Sequence, residues 1–361
     1  MLKNSRSVLI FLLFLFLFLS IFMSSVLHHN FMQSDVLDYW NNSLSWKTPY
    51  HSFHVPGYPL LIALFRLVTF GLLQPVFLMT GINLISFLGS AVVLVQIFKK
   101  MGLDAQISNL GVLLFGLWPF VGLTYTVVPL ADIPAIFFFL AGFLFLISKR
   151  MFFAGLFFGI SLITHKAMWL FVGLIVIAYL LSSKKLAIKE FLPFFLLLGL
   201  PIGLLWALGA TYHHSLTWIF SSNLQVEVSS RSHLPVLDGL IGTLLQGGEK
   251  SLIKGILLWA FAVFTFSLLV IQVQKKSVYS PYGVALILGV ALLFVFLNQS
   301  EIWAAVRFSR LLVIPFVGIF ASFPEWRNAL LSKPWLVVMV LVGLIASQFV
   351  YAWYIARVYF G

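Results

Sequence analysis

The stretch MLKNSRSVLIFLLFLFLFLSIFMSSV, Met1 to Val26, decides the fold class. It opens with two cations, Lys3 and Arg6, and continues into an apolar run long enough, at about 20 residues, to cross the hydrocarbon core of a bilayer as a helix. Its basic flank resembles that of a secretory signal, but the run is too long for one and no small-x-small cleavage site follows it, so the expectation is an uncleaved first span.

The rest of the chain has the same character. Of 361 residues, 61% are hydrophobic and 9% charged, which excludes a soluble globular domain and implies a polytopic, all-α integral membrane protein. Apolar runs separated by polar turns lay out eleven transmembrane helices, at roughly 8–27, 76–98, 107–127, 130–148, 151–164, 167–183, 191–210, 252–273, 282–298, 308–323 and 335–356. The pair 151–164 and 167–183 is short enough to serve equally as a re-entrant pair. No soluble domain or internal repeat interrupts 1–361, which reads as a single polytopic domain.

Charge placement tests the layout. The net charge of +12 is not gathered on one basic face, so no nucleic-acid partner is implied. With a cytoplasmic N-terminus, 13 of the 22 cations fall on the cytoplasmic side, among them Lys99–Lys100, Lys149–Arg150 and Lys184–Lys185, as the positive-inside rule requires. All eight histidines and seven of the ten acids fall on the other side. General acid-base groups gathered with anion-binding cations at one membrane face suggest chemistry there, whereas a transporter would bury them near mid-bilayer. Two non-cytoplasmic loops, about 28–75 and 211–251, are long enough to form that face, and YPLLIALFRLVTFGLLQP within the first, broken by Arg66, suits an interfacial helix.

The first loop begins MQSDVLDYWNNSLSWKTPYHSFHVPGYP, Met32 to Pro59. Asp35 and Asp38 are three apart, so on a helix they share a face and raise one another's pKa, as suits a general base; a capped helix start at the membrane surface has the same pattern. Trp40, Trp46 and Tyr58 are placed to stack on sugar rings. The pairs His28–His29 and His213–His214 give no metal-ligand spacing, so no metal is indicated, and the absence of cysteine removes thiol chemistry.

In this loop Asp35, Tyr39 and His54-Val55-Pro56-Gly57-Tyr58-Pro59 resemble the first outward loop of GT-C superfamily glycosyltransferases, particularly the protein O-mannosyltransferase and aminoarabinose transferase-like branch. VPLADIPAIFFFLAGFLFL, with Asp132, is similar to that family's third-to-fourth span junction. AGLFFGISLITHKAMWLFVGLIVI resembles its G-x-x-x-G-x-x-x-L-T-R-P span pair, with His165-Lys166 in place of Arg-Pro, and AAVRFSRLLVIPF is similar to its late R-Y-x-L-P-x-x-P element.

The resemblance implies a GT-C-type bundle that moves a sugar from a polyprenyl-phosphate carrier to a glycan, lipid or secreted-protein acceptor at the non-cytoplasmic face of the cell membrane. No cofactor is implied, because the lipid-linked donor is itself the substrate. Asp35 would be the base, with Asp38 in reserve. Arg307, Arg310, Lys166 and Arg231 would hold the donor phosphate, and Tyr39, His54, Tyr58, Asp132 and His165 would line the substrate site. Lys166 where an Arg is usual reduces bidentate phosphate recognition to a point charge. Two alternatives stay open: a lipid-linked glycan flippase, and an O-antigen-ligase or polymerase-like enzyme working through Arg231 and His233 in EVSSRSHLPVLDG.

Overall fold

A computed structural model of the chain describes residues 4–27, 34–44, 55–182, 188–214, 238–245, 249–274, 280–297, 302–325, 328 and 332–359. Among these every regular element is a helix. The helices are α1 Ser5–Leu27, α2 Ser34–Ser43, α3 Gly57–Val68, α4 Pro75–Lys100, α5 Ala105–Gly116, α6 Thr124–Val127, α7 Asp132–Ile147, α8 Met151–Thr164, α9 Met168–Ser182, α10 Ile188–His213, α11 Asp238–Leu245, α12 Glu249–Gln274, α13 Ser280–Phe296, α14 Trp303–Phe308, α15 Val313–Ala321 and α16 Pro334–Tyr359. A 3-10 turn, Ser309–Leu312, joins α14 and α15 into one rod, Trp303–Ala321.

Among the described residues six segments are long and apolar enough to cross a membrane, at Ser5–Met23, Pro75–Lys100, Phe191–Thr211, Leu252–Gln274, Trp303–Ala321 and Trp335–Ile355. Six shorter apolar helices, α3, α5, α7, α8, α9 and α13, pack among them. Leu192, Leu196, Leu200, Leu204 and Leu208 recur every fourth residue along α10, and each is exposed. Such a continuous apolar stripe is stable facing acyl chains and unstable facing water.

Helix neighbours run in a row, α10 against α8, α8 against α7, α7 against α4, α4 against α5, α5 against α1 and α1 against α16. The other side is filled by α9, α13 and α12, with the rod α14–α15 between α5 and α13. Close approach between α8 and α10 depends on glycine: a Cβ at Gly155 would stand 2.2 Å from the Phe194 carbonyl oxygen, and one at Gly159 would stand 2.7 Å from that of Leu198. This is the small-xxx-small device by which helices in lipid, lacking a hydrophobic drive to associate, gain van der Waals contact. Gly155→Ala is therefore expected to destabilise the protein by about 1–3 kcal/mol. Gly173→Ala on α9, whose Cβ would meet nothing within 4 Å, is expected to leave stability unchanged or raise it. Thermal unfolding of both variants in detergent checks the pair, and equal melting temperatures would remove the role given to Gly155.

At 107–127 the structure departs from the runs laid out by sequence. The run at 107–127 is not one helix: α5 stops at Gly116, residues 117–123 are irregular, and α6 adds a single turn. Pro119 lacks an N–H, and the irregular backbone finds partners elsewhere in the bundle. Gln348 Nε2 donates to the Trp118 carbonyl at 2.9 Å, the Thr124 N–H donates to Gln348 Oε1 at 3.2 Å, and Arg310 Nη2 donates to the carbonyls of Val121 and Gly122. At 151–183 two short helices stand where the sequence laid them out, Met151–Thr164 and Met168–Ser182, with α8 packing mainly on α7 and α10 and α9 mainly on α13.

The bundle has two chemically different ends. Asn83 of α4 bonds the Val128 carbonyl just ahead of α7, and Gly89 of α4 lies against Phe137 of α7, so the two helices run parallel. Both finish in exposed basic pairs, Lys99–Lys100 and Lys149–Arg150. Ser5 Oγ donates to Asn109 near the start of α5 at 2.8 Å, which brings exposed Arg6 to the same end. α7 is 16 residues long, so its first residue, Asp132, lies about 24 Å from that basic end.

Candidate functional site

At the end away from the basic pairs, Asp132 occupies the first position of α7, where the helix dipole favours a carboxylate. It is 3% exposed, and a carboxylate so buried needs a counter-charge. Arg307 supplies it from α14, with Nη1 3.4 Å from Oδ2. His165 approaches from the end of α8, with Nε2 3.7 Å from Oδ1.

Local backbone geometry aims that histidine. His165 caps α8 in extended conformation (φ −151°, ψ 131°), and its Nδ1 accepts from the Ala167 N–H at 3.1 Å. With Nδ1 an acceptor, the neutral ring carries its proton on Nε2, toward Asp132. The Phe308 ring, centroid 4.8 Å away, holds the imidazole edge-on.

Two tyrosines from the first loop close the site. Tyr39 of α2 and Tyr58 of α3 are both buried and meet edge to face, centroids 4.9 Å apart at 84°. Tyr58 Oη donates to Asn83 Oδ1 at 3.2 Å, and Asn83 Nδ2 donates to the Val128 carbonyl at 3.1 Å, so α2, α3, α4 and the turn leading into Asp132 are tied together. A Cβ at Gly57 would stand 2.3 Å from the Ile163 carbonyl, so only glycine lets α3 start this close to the end of α8. Both phenols are pushed above the usual tyrosine range, first by burial and then by the negative charge of Asp132. On Tyr39, Asp35 adds to this and Arg307 opposes it, so the acid of α2 acts on the same pocket as the buried pair.

The residues expected from sequence divide into three groups. Tyr39, Tyr58, Asp132, His165 and Arg307 converge, although 268 positions separate Tyr39 from Arg307. Asp35, on the first turn of α2, is exposed, Asp38 is half-buried, and Lys166 is exposed in the turn beside His165. His28, His29, Trp46, His54, Arg231, His233 and most of the 211–251 loop lie outside the described residues. Arg310 departs from its expected role: it is 1% exposed, donates to the Val121 and Gly122 carbonyls, and lies 5.4 Å from the Phe115 ring, so it braces the irregular 117–123 segment. Arg310 stands three residues after Arg307, on nearly the same face but about one turn further along the rod, in the 3-10 segment Ser309–Leu312, where it meets the protein interior.

Sequence reading passed over Asn83 and Tyr125. Asn83 lies in an apolar run, and an amide there is a legible signal, since buried polar groups inside a membrane are kept for their partners. The Arg307 guanidinium lies 5.4 Å over the Tyr125 ring, whose hydroxyl is 3.1 Å from that of Tyr351. Two atoms inside the pocket, Asp132 Oδ1 and Arg307 Nε, are shut off from solvent without a hydrogen-bond partner. Comparison of the chain with family models, with curated proteins and with solved structures finds no match.

Proposed function

We propose that the chain is a membrane glycosyltransferase of GT-C type that moves a sugar from a polyprenyl-phosphate carrier to a hydroxyl acceptor. One observation carries the reading: a buried acid, a cation with an unpartnered N–H and an oriented imidazole meet at the end of the bundle opposite its exposed basic pairs, and the exposed acid Asp35 acts electrostatically on Tyr39 beside them. By the positive-inside rule those pairs are cytoplasmic, so in this reading the cluster lies toward the other face of the cell membrane, and the proposed bundle crosses it eleven times.

The reaction follows from the chemistry at hand. An acceptor O–H attacks the anomeric carbon; the new C–O bond forms as the bond from that carbon to the phosphate oxygen breaks. The electron pair of the broken bond stays on the departing phosphate, and the acceptor proton passes to the Asp35 carboxylate. Arg307 stabilises the charge developing on the phosphate, with Lys166 at the rim. Asp132 holds Arg307 in place with its own charge engaged in that pairing, so the base is assigned to the acids of α2, Asp35 first with Asp38 in reserve. One base opposite the leaving group, with no carboxylate nucleophile, makes the displacement inverting.

Incubating the purified protein with a panel of polyprenyl-phosphate sugars and a hydroxyl acceptor is expected to release free polyprenyl phosphate with at least one of them. No release across hexosyl and pentosyl donors would reject the activity.

A further inference from the structure

A cavity lies at the other end of the bundle from the cluster around Asp132. It measures about 190 Å³ and is enclosed by α7, α12, α13 and α15 together with the turn that ends α4. Gly318, in its wall, stands eleven positions beyond Arg307 on the rod, roughly 17 Å along the axis, so the two places are separate. The chemistry proposed for the cluster makes no use of it.

Burial is graded along the cavity. Phe143, Ile314 and Pro315 line it and are buried, whereas Met101 is half-buried and Ser322, just past the end of α15, is exposed. Ile314 and Ser322 are eight residues apart, about 12 Å of helix, so the space runs inward from the end that carries the basic pairs. Apolar space of this size takes up hydrocarbon: a cavity of about 150 Å³ lined by Leu, Ile and Phe stays dry and binds benzene.

One part of the wall is polar. Gln272, near the end of α12, is 6% exposed within a segment apolar enough to cross a membrane, where an amide is kept for its partners. Its Nε2 donates to Ser280 Oγ at 3.4 Å, a long bond that uses one of the amide's two N–H groups. Gly283 leaves room for that amide, since a Cβ there would stand 2.9 Å from Cδ and Nε2. An amide donor beside an apolar slot suits a hydrocarbon chain that begins at an ester carbonyl. Among the described residues at this end, the exposed cations Arg6, Lys99, Lys100, Lys149 and Arg150 outnumber the exposed acids Asp104 and Glu325, which favours an anionic headgroup.

We propose that this cavity holds one acyl chain of an anionic phospholipid from the leaflet at the basic end, with the chain against Ile314 and Pro315 and its ester carbonyl accepting from Gln272. The site goes beyond the proposed transfer reaction and does not depend on it. The full chain is purified in mild detergent, stripped of lipid, and mixed with phosphatidylglycerol or with phosphatidylcholine of the same acyl chains. Native mass spectrometry reads the lipid retained, and thermal unfolding is followed on the same samples.

The wild type is expected to retain one phosphatidylglycerol roughly ten times more strongly than phosphatidylcholine, and to melt several degrees higher with it. Gly318→Leu fills the cavity, because a Cβ at that position meets nothing closer than the tip of the Met101 side chain, at 3.3 Å. It should lose both the retained lipid and the rise in melting temperature. Gly173→Leu, the same exchange on an exposed face of α9, should keep both. Gln272→Leu should weaken retention roughly three- to tenfold. Equal retention of the two lipids, or a Gly318→Leu protein that retains phosphatidylglycerol as the wild type does, overturns the site; full retention by Gln272→Leu removes the ester contact. If Gly318→Leu fails to fold, Ala321→Leu, also in the wall, serves with the same readings.

Discussion

Asp35→Asn is expected to lower turnover by about 100- to 10,000-fold, the usual cost of removing a positioned general base. The change is nearly isosteric and falls on an exposed residue in the first turn of α2, so folding and carrier binding should be retained. Measured as polyprenyl phosphate released per minute, the loss should appear in kcat with little change in KM, because the base acts as the acceptor proton moves. Asp38→Asn, three residues on and half-buried, is the companion variant. If Asp35→Asn turned over at the wild-type rate while Asp38→Asn did not, the two roles would be exchanged, and if both remained active the first loop would hold no base.

The second large effect is expected at the buried pair. Arg307→Met removes the cation 3.4 Å from Asp132 and leaves a 3% exposed carboxylate without its partner. Breaking a buried pair in this way costs about 3–5 kcal/mol of stability. Adding Asp132→Asn removes the orphaned charge, so the double variant should regain most of the lost melting temperature. It should not regain activity: without the guanidinium the departing phosphate loses an electrostatic contact worth roughly 100- to 1,000-fold in rate. Thermal unfolding and polyprenyl phosphate release on the same three preparations separate the two roles. Recovery of turnover in the double variant would show that Arg307 serves the fold alone.

Much of the polar machinery could be read without coordinates, but only as a set of residue types on one side of a membrane. Asp132 stood out as an acid at a helix start and Arg307 as a cation in a late apolar run, yet nothing local links them across 175 positions. Arg307 and Arg310 could not be told apart by pattern, because both are arginines in the same element. Their difference lies in what surrounds the rod at each level: at Arg307 it meets Asp132 and Tyr125, and one turn further on, at Arg310, it meets the carbonyls of Val121 and Gly122. The break after Gly116 is a similar case. Pro119 is a legible breaker that the layout of 107–127 as one span passed over, and whether the freed carbonyls would be satisfied depended on Gln348 and Arg310, far along the chain.

By itself the sequence determined that the protein is helical and embedded in lipid, since those properties are sums over local residue types: apolar runs of spanning length, and cations placed where the runs end. It also determined which stretch is rich in acids, histidines and aromatics. The pairing of those groups belonged to the tertiary structure alone. In a medium without water each buried polar atom takes as its partner whichever group the packing of distant helices delivers, and that packing is set by glycine contacts such as those of Gly57 and Gly155, where the difference between touching and clashing is about one methyl group.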